Sequence, residues 1–256
     1  MIPAVIPPLT GLSVLVTRPQ PQSDVLASRI RTLGGEATVL PAIEIRPLGV
    51  AAANVHELVV FVSVNAVEHG AHLIVRQEGM RIAAIGKATA AALAALKFTV
   101  DIVPDRGFTS EALLEHPELM IATGTRVLIV RGSGGRELLQ QTFESSGAIV
   151  ETLDVYERAL PSIDETLRAQ LEARWSEGEI HAVTATSVET LSNLDRLLSE
   201  RSAALLRTTP LIVPSPRVAE AAVAMGHTAE RIVAAGADDE SIIGALSQWH
   251  ARAREP

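Results

Sequence analysis

The chain states one long pattern twice. VVFVSVNAV, RIAAIGKATAAALAAL and VPDRGFTSEALL, spread from Val59 to Leu114, are answered in the same order by HAVTATSVETL, PLIVPSPRVAEAAVAMG and VAAGADDESII. Spacing agrees even where the letters do not. Eleven positions separate Gly86 from Lys97 and Ser215 from Gly226, and thirteen separate Lys97 from Ser110 and Gly226 from Asp239. A period this long, present only twice, predicts a pair of related domains and not a solenoid.

A shorter pattern is duplicated too. SVLVT (Ser13 to Thr17) reads as a buried strand, Arg18 stands at its C-terminal end, a helix is expected from Gln22 to Leu33, and Gly34 and Gly35 punctuate it. EATVLPAIEIRPL follows, broken by Pro41 and Pro47, and reads as a strand leaving a domain. The same order returns in RVLIVRGSGGRELLQQTFESSGAIVETLDVYERALP, Arg126 to Pro161, with Arg131 in the place of Arg18. Residues Met1 to Leu12, with three prolines, read as a loose leader.

Short and long patterns therefore alternate, and the question is which fold together. A contiguous boundary would fall in ELMIATGT, which is apolar and lacks proline. The extended segments Ala37–Leu48 and Ala148–Leu160 make better connectors. If they cross side by side, residues 1–40 and 160–256 form one domain and residues 41–159 an inserted second one. Each is expected to be a doubly wound α/β domain with a parallel sheet, and two such connectors are expected to let the domains reorient.

Composition narrows the function. Aromatic residues are only 3% against 47% hydrophobic, so aliphatic side chains must fill the cores, and stacking on aromatic platforms is not expected. A net charge of −8 argues against nucleic acid and anionic membranes as partners. A small anion is still allowed, because helix N-termini and a few arginines can hold one. There is no cysteine, and the seven histidines show no HExxH pattern, so no metal is expected. No apolar run is long enough to span a membrane, and MIPAVIPPLTG is unlike a signal peptide; a soluble, cytoplasmic, monomeric protein is the expectation.

In open parallel sheets ligands bind beyond the C-terminal ends of the strands. The residues at those junctions are Ser63 and Asn65, then Gly86, Lys87 and Thr89, then Ser187, then Ser215 and Arg217, with Arg18, Arg131 and Gly132 at strand ends. They are the candidate ligand contacts, expected to face one interdomain cleft. Taken singly, each Ser, Thr or Asn is equally a helix cap. GSGG (Gly132 to Gly135) lacks the frame of a phosphate loop. Tyr156, the one tyrosine, is either a packing residue or a proton donor. No nucleophile, base and orienter can be assembled from spacing.

The motifs VLVTRP, LPAIEIRPL, FVSVNAV, AAIGKATAAAL, TSEALL, VLIVRG, GAIVETLDVYER, TATSVETL, SPRVAEAA and DDESIIGAL, in this order from Leu12 to Trp249, resemble the uroporphyrinogen-III synthase family. The resemblance implies two flavodoxin-like domains joined by a two-stranded β connector. It implies hydroxymethylbilane, a linear tetrapyrrole with eight carboxylates, as substrate. It implies closure to uroporphyrinogen III with loss of water and inversion of ring D, without metal or organic cofactor. The VYER motif makes Tyr156 the candidate catalytic group, helping the hydroxyl leave. Lys97 departs from the pattern, which has glycine there, and TATSVETL and VPSPRVAEAA are looser than their counterparts in the first copy. Two other classes fit a two-domain α/β chain: a non-catalytic small-anion binding or sensor protein, and a nucleotide-dependent transferase, for which the phosphate loop is missing.

Overall fold

The computed structural model describes residues 6–51 and 54–254. The chain divides into two compact units, Met1–Glu44 with Ala159–Pro256, and Ile45–Arg158. It starts in the first with β1 (Ser13–Val16), α1 (Gln22–Thr32) and β2 (Glu36–Val39). It leaves on β3 (Glu44–Pro47) and lays down β4 (Leu58–Phe61), α2 (Val64–Gly70), β5 (Arg81–Ala84), α3 (Lys87–Ala95), α4 (Ser110–Leu114), β6 (Arg126–Gly132) and α5 (Leu138–Ser145). It returns along β7 (Ile149–Ala159) and ends with α6 (Glu165–Ser176), β8 (Ala182–Thr184), α7 (Val188–Leu197), α8 (Glu200–Arg207), β9 (Leu211–Val213), α9 (Pro216–Ala224), β10 (Arg231–Val233) and α10 (Asp239–Ala253).

The first unit holds a five-stranded sheet in the order β10-β9-β8-β1-β2, with every neighbouring pair parallel. Counted along the chain within that unit, this is the 2-1-3-4-5 order of the flavodoxin-like fold. The second sheet runs β3-β7-β6-β4-β5, and β7, β6, β4 and β5 are again mutually parallel. Beyond β5, a single parallel bridge from Ala83 to Ile102 stands where the first unit has β10. Taken with β6 first, the second sheet has the same strand order as the first. Register carries the duplication to the residue: Ser13 pairs with Glu36 and Arg126 with Ile149, so Arg18 and Arg131 sit at equivalent strand ends. The two crossing segments meet as the neighbours β3 and β7, which is the two-stranded connector.

These strands are short apolar runs with no polar face because helices cover both sides. Side chains alternate between faces. Val59, Phe61, Leu128 and Val130 pack on one side of the second sheet with Val67 of α2 and Leu93 of α3, while Leu58, Val60, Val127 and Ile129 pack on the other with Leu113 of α4 and Phe143 of α5. The first sheet divides likewise. Leu15, Val183, Leu211 and Val213 meet α6, α7, α8 and α9, whereas Val14, Val16 and Ile212 meet α1 and α10. Each fully buried Phe or Leu contributes about 2 kcal/mol by leaving water.

Two local expectations need correction. Residues 1–5 of the expected leader lie outside the described residues, but the rest is not loose: Leu9 and Leu12 are buried, the Leu9 N–H donates to the Leu33 carbonyl at 3.0 Å, and His250 Nε2 lies 3.0 Å from the Thr10 carbonyl oxygen. Prolines shape that segment without freeing it, because the two leucines have a core to enter. The segment after Gly35 is not wholly a departing strand either. Glu36–Val39 forms the edge strand β2, and only after Pro41 does the chain leave. Proline is tolerated there because the Leu40 and Ala42 N–H groups on either side of it donate to the Val16 and Thr17 carbonyls, and the position between them faces away from β1 on an edge strand.

Candidate functional site

In each unit the crossover helices diverge to opposite faces between the first and third strands, at β6 and β4 in the second unit and β1 and β8 in the first. Just past the C-terminal ends of those strands a crevice opens in folds of this kind.

In the second unit β4 gives way to Ser63, the N-cap of α2, whose Oγ accepts the Ala66 N–H at 2.9 Å. Asn65 is half-buried in the first turn behind it. Beside them β6 ends in Arg131 and Gly132, with a register shift between the two that brings Gly132 opposite Tyr156 of β7. Arg131 Nε donates to Asp154 Oδ1 at 2.9 Å, so its charge is already answered. Gly132 exists to make room: a Cβ there would lie 2.5 Å from Cζ of Tyr156 and 2.9 Å from its hydroxyl oxygen. The tyrosine ring lies over that glycine, 3% exposed, with its hydroxyl 3.2 Å from Ser63 Oγ and its centroid 6.1 Å from that of His69.

The next junction, after β5, is Gly86, the N-cap of α3, with no side chain to cap that helix. Its backbone is extended, so no conformational need selects glycine. The need is space, because a Cβ would sit 2.9 Å from Cβ of Phe108. Phe108 is half-exposed, and the exposed Lys87 holds its Nζ 6.0 Å from that ring's centroid. Thr89, in the first turn of α3, is buried.

The first unit's edge is built differently. Arg18, only 7% exposed, is hydrogen-bonded to Asp239 in the first turn of α10, and Arg29 stands 3.8 Å from the same carboxylate. Asp238 caps α10. The Ser241 N–H and hydroxyl both donate to its carboxyl and hold it below the usual carboxylate range. Ser187 caps α7 by accepting the Thr190 N–H at 3.0 Å, and its hydroxyl also meets Thr190 Oγ1 at 2.9 Å. Ser215 precedes Pro216 at the start of α9 and makes no side-chain cap bond; Arg217 beside it is exposed.

The candidates thus fall into two groups. Ser63, Asn65, Gly86, Lys87, Arg131, Gly132 and Tyr156 line the strand ends of the second sheet, and Arg18, Ser187, Ser215 and Arg217 those of the first. Sequence spacing missed Asp239 and Asp154, the carboxylates that hold the two arginines. The thirteen-residue spacing marked position 239 as the counterpart of Ser110 but could not show the pairing. Phe108 was missed as well, although its place between Gly107 and Thr109 in a turn offers little core to enter. Among the described residues no group of three or more His, Asp or Glu is placed to hold a metal ion, and no helix is long and apolar enough to cross a membrane.

Comparison with known proteins bears on what such edges do. A family model described as uroporphyrinogen-III synthase HemD matches residues 24–244. The uroporphyrinogen-III synthase of Salmonella typhimurium is 36% identical over 252 residues, covering 92% of this chain and 100% of that protein. That of Escherichia coli is 35% identical over 250 residues with the same coverage. Among solved structures, a mutant uroporphyrinogen III synthase from Thermus thermophilus superposes with a TM-score of 0.58 at 20% identity, covering 94% of this chain and 98% of that one. The enzyme from Helicobacter pylori does so at 0.57 and 15% identity, covering 95% and 100%. At those identities the structures speak to the fold alone.

Proposed function

We propose that this chain, which belongs to the uroporphyrinogen-III synthase family, cyclises hydroxymethylbilane to uroporphyrinogen III with loss of water and inversion of ring D. What supports it is similarity that runs the whole length of a synthase of that name at 36% identity. The strand-end residues of the two sheets supply what the chemistry asks for. The terminal hydroxymethyl group sits on an electron-rich pyrrole whose nitrogen helps expel the oxygen, so no strong nucleophile is needed. Unaided closure joins the ring ends head to tail and gives the symmetrical isomer. The protein must fold the chain so that the substituted carbon of ring D is attacked, and positioning with fixed dipoles is the main burden.

Carboxylates of the substrate would be met by N–H groups at the starts of α2, α3, α7 and α9, with Asn65, Lys87 and Arg217 beside them. Arg18 and Arg131 are bound to carboxylates of the chain itself, so they would shape the edge more than offer free charge. The hydrogen-bonded hydroxyls of Ser63 and Tyr156 would supply the donor for the departing oxygen. The chain's own residues suffice for each step. The protein would act alone in the cytoplasm as a monomer.

The test is product identity. Purified protein given freshly generated hydroxymethylbilane, with no added metal or cofactor, should yield mainly the type III isomer after oxidation and chromatography. Type I product at the uncatalysed rate would refute the assignment.

A further inference from the structure

On the cyclase reading above, we propose that the Ser63 hydroxyl is the group that touches the departing oxygen, and that Tyr156 stands behind it as a positioning residue and proton reserve. A serine hydroxyl carries one donor hydrogen and two acceptor lone pairs. At Ser63 Oγ one lone pair takes the Ala66 N–H at 2.9 Å. The other faces the Tyr156 hydroxyl at 3.2 Å. The direction of that second bond follows from burial. Tyr156 is 3% exposed and Ser63 Oγ is its hydroxyl's hydrogen-bond partner, so a bond donated by serine would leave the phenol hydrogen buried and unmatched, which folded proteins avoid. A phenol is also the stronger acid of the two. Tyr156 therefore donates, both lone pairs of Ser63 are filled, and the serine hydrogen is the one left over. Ser63 is half-buried at the strand end, whereas the phenol is enclosed, so it is the serine hydrogen that reaches the edge.

The step balances. The C–O bond of the hydroxymethyl group breaks, its electron pair leaves with the oxygen, and the pyrrole nitrogen lone pair moves in to stabilise the carbon. Ser63 gives its proton to the oxygen, which departs as water, and the Tyr156 proton passes to Ser63 Oγ. Attack at the substituted carbon of ring D makes a quaternary centre. The bond from that carbon to its old methylene bridge then breaks and re-forms at the unsubstituted α-carbon of ring D, and the proton lost there as the ring recovers aromaticity returns to the phenolate.

A purely structural role for Ser63, as cap of α2, makes different predictions, and four variants separate the two. Ser63→Ala is expected to lower kcat roughly tenfold to a hundredfold with KM and the type III fraction kept. Ser63→Thr should restore it. Ser63→Asp keeps the cap but carries no donor, so it should stay folded and slow, guarding against loss of activity through unfolding. Tyr156→Phe should lower kcat in the wild-type background and add nothing on top of Ser63→Ala. Solvent isotope measurements give a readout that capping cannot move: the rate plotted against deuterium fraction should curve for the wild type, with two protons in flight, and be linear for Tyr156→Phe. Wild-type kcat in Ser63→Ala, or a Tyr156→Phe loss as large in the Ser63→Ala background as in wild type, would overturn the relay while leaving the cyclase assignment intact. Failure of the wild-type protein itself to make type III product would take down both.

Discussion

Gly132 is the position where one methyl group should disturb the site most. Its backbone is not in the left-handed region, so alanine meets no conformational penalty there and the effect isolates packing. The added carbon would lie 2.5 Å from Cζ, 2.6 Å from Cε2 and 2.9 Å from the hydroxyl oxygen of Tyr156, where ordinary contact begins near 3.4 Å. The ring must retreat by almost an ångström, inside a core that includes Phe61, Val130 and Val155. Overpacking of this kind costs about 1–3 kcal/mol. The 3.2 Å contact with Ser63 cannot survive such a shift, and a lost neutral hydrogen bond adds about 1 kcal/mol. Against this, alanine restricts the unfolded chain and returns about 0.5 kcal/mol. Gly132→Ala should therefore destabilise by about 2–3 kcal/mol, read as a lower urea midpoint at unchanged m-value, and should lower kcat along with Tyr156→Phe. Removing the phenol oxygen alone leaves the two shortest contacts, so Tyr156→Phe should rescue Gly132→Ala poorly. Tyr156→Leu, which clears the ring, should cost clearly less in the Gly132→Ala background than in wild type. A Gly132→Ala protein within about 0.5 kcal/mol of wild type, with unchanged kcat, would refute the idea that this glycine is there for the ring.

Lys97 holds φ at 64° just past the end of α3, where Gly226 holds 87° past the end of α9. Left-handed backbone costs a side-chain-bearing residue about 1 kcal/mol, so Lys97→Gly should stabilise by about 0.5 kcal/mol after its entropic cost, and Gly226→Ala should destabilise by about 1 kcal/mol, both read from urea midpoints. His227 is buried with no hydrogen-bond partner of ordinary geometry for either ring nitrogen, and burial, with Arg207 adding to it and Asp195 opposing, lowers its pKa below 6.5. The unfolded chain therefore takes up a proton that the folded one refuses: stability should fall as pH drops below about 6.5, and this increment should vanish in His227→Leu when urea midpoints at pH 7.5 and about 5.5 are compared. Asp239→Asn should leave Arg18 short of its partner and destabilise by about 1–3 kcal/mol, whereas the apolar pair Arg18→Met with Asp239→Leu should recover much of that loss in thermal denaturation.

The fold class was legible because it rests on things a sequence repeats aloud. Apolar runs such as LVVF and VLIV carry no polar face, which only a sheet covered on both sides allows, and the spacings from Gly86 and Ser215 locate equivalent helices whose only shared letters are alanines. Side-chain partnerships were not legible. Arg18 and Arg131 occupy equivalent strand ends, yet one is held by a carboxylate 221 residues away and the other by one 23 residues away. Nothing in local pattern distinguishes them, since what each arginine meets depends on which loop reaches it. Thr89 gives a related case: being near a helix start says nothing about how far a side chain is buried, and Thr89 is 3% exposed whereas Lys87, two residues before it, is exposed.

The most informative difference lies between the two copies themselves. Tyr156 comes opposite Gly132 only through the register shift between Arg131 and Gly132, whereas the pairing of β1 with β2 ends at Val16 and Val39, before any counterpart of that tyrosine. The caps differ in step with it. Ser187 and Ser63 each start a helix after the third strand of their sheet, but the residue whose N–H they accept is Thr190 in one and Ala66 in the other. Thr190 brings its own hydroxyl to within 2.9 Å of Ser187, so the second hydroxyl at that cap comes from the same helix. Ala66 brings none, and the free lone pair on Ser63 is the one that Tyr156 occupies. Threonine on the helix of the first unit and tyrosine on the strand of the second thus bring a hydroxyl to the capping serine from different elements. The second unit thus links its capping serine to the neighbouring strand, while the first carries the Arg18–Asp239 link at its own strand ends. Duplication supplied one architecture twice, and its halves differ in which element brings the second hydroxyl to the capping serine.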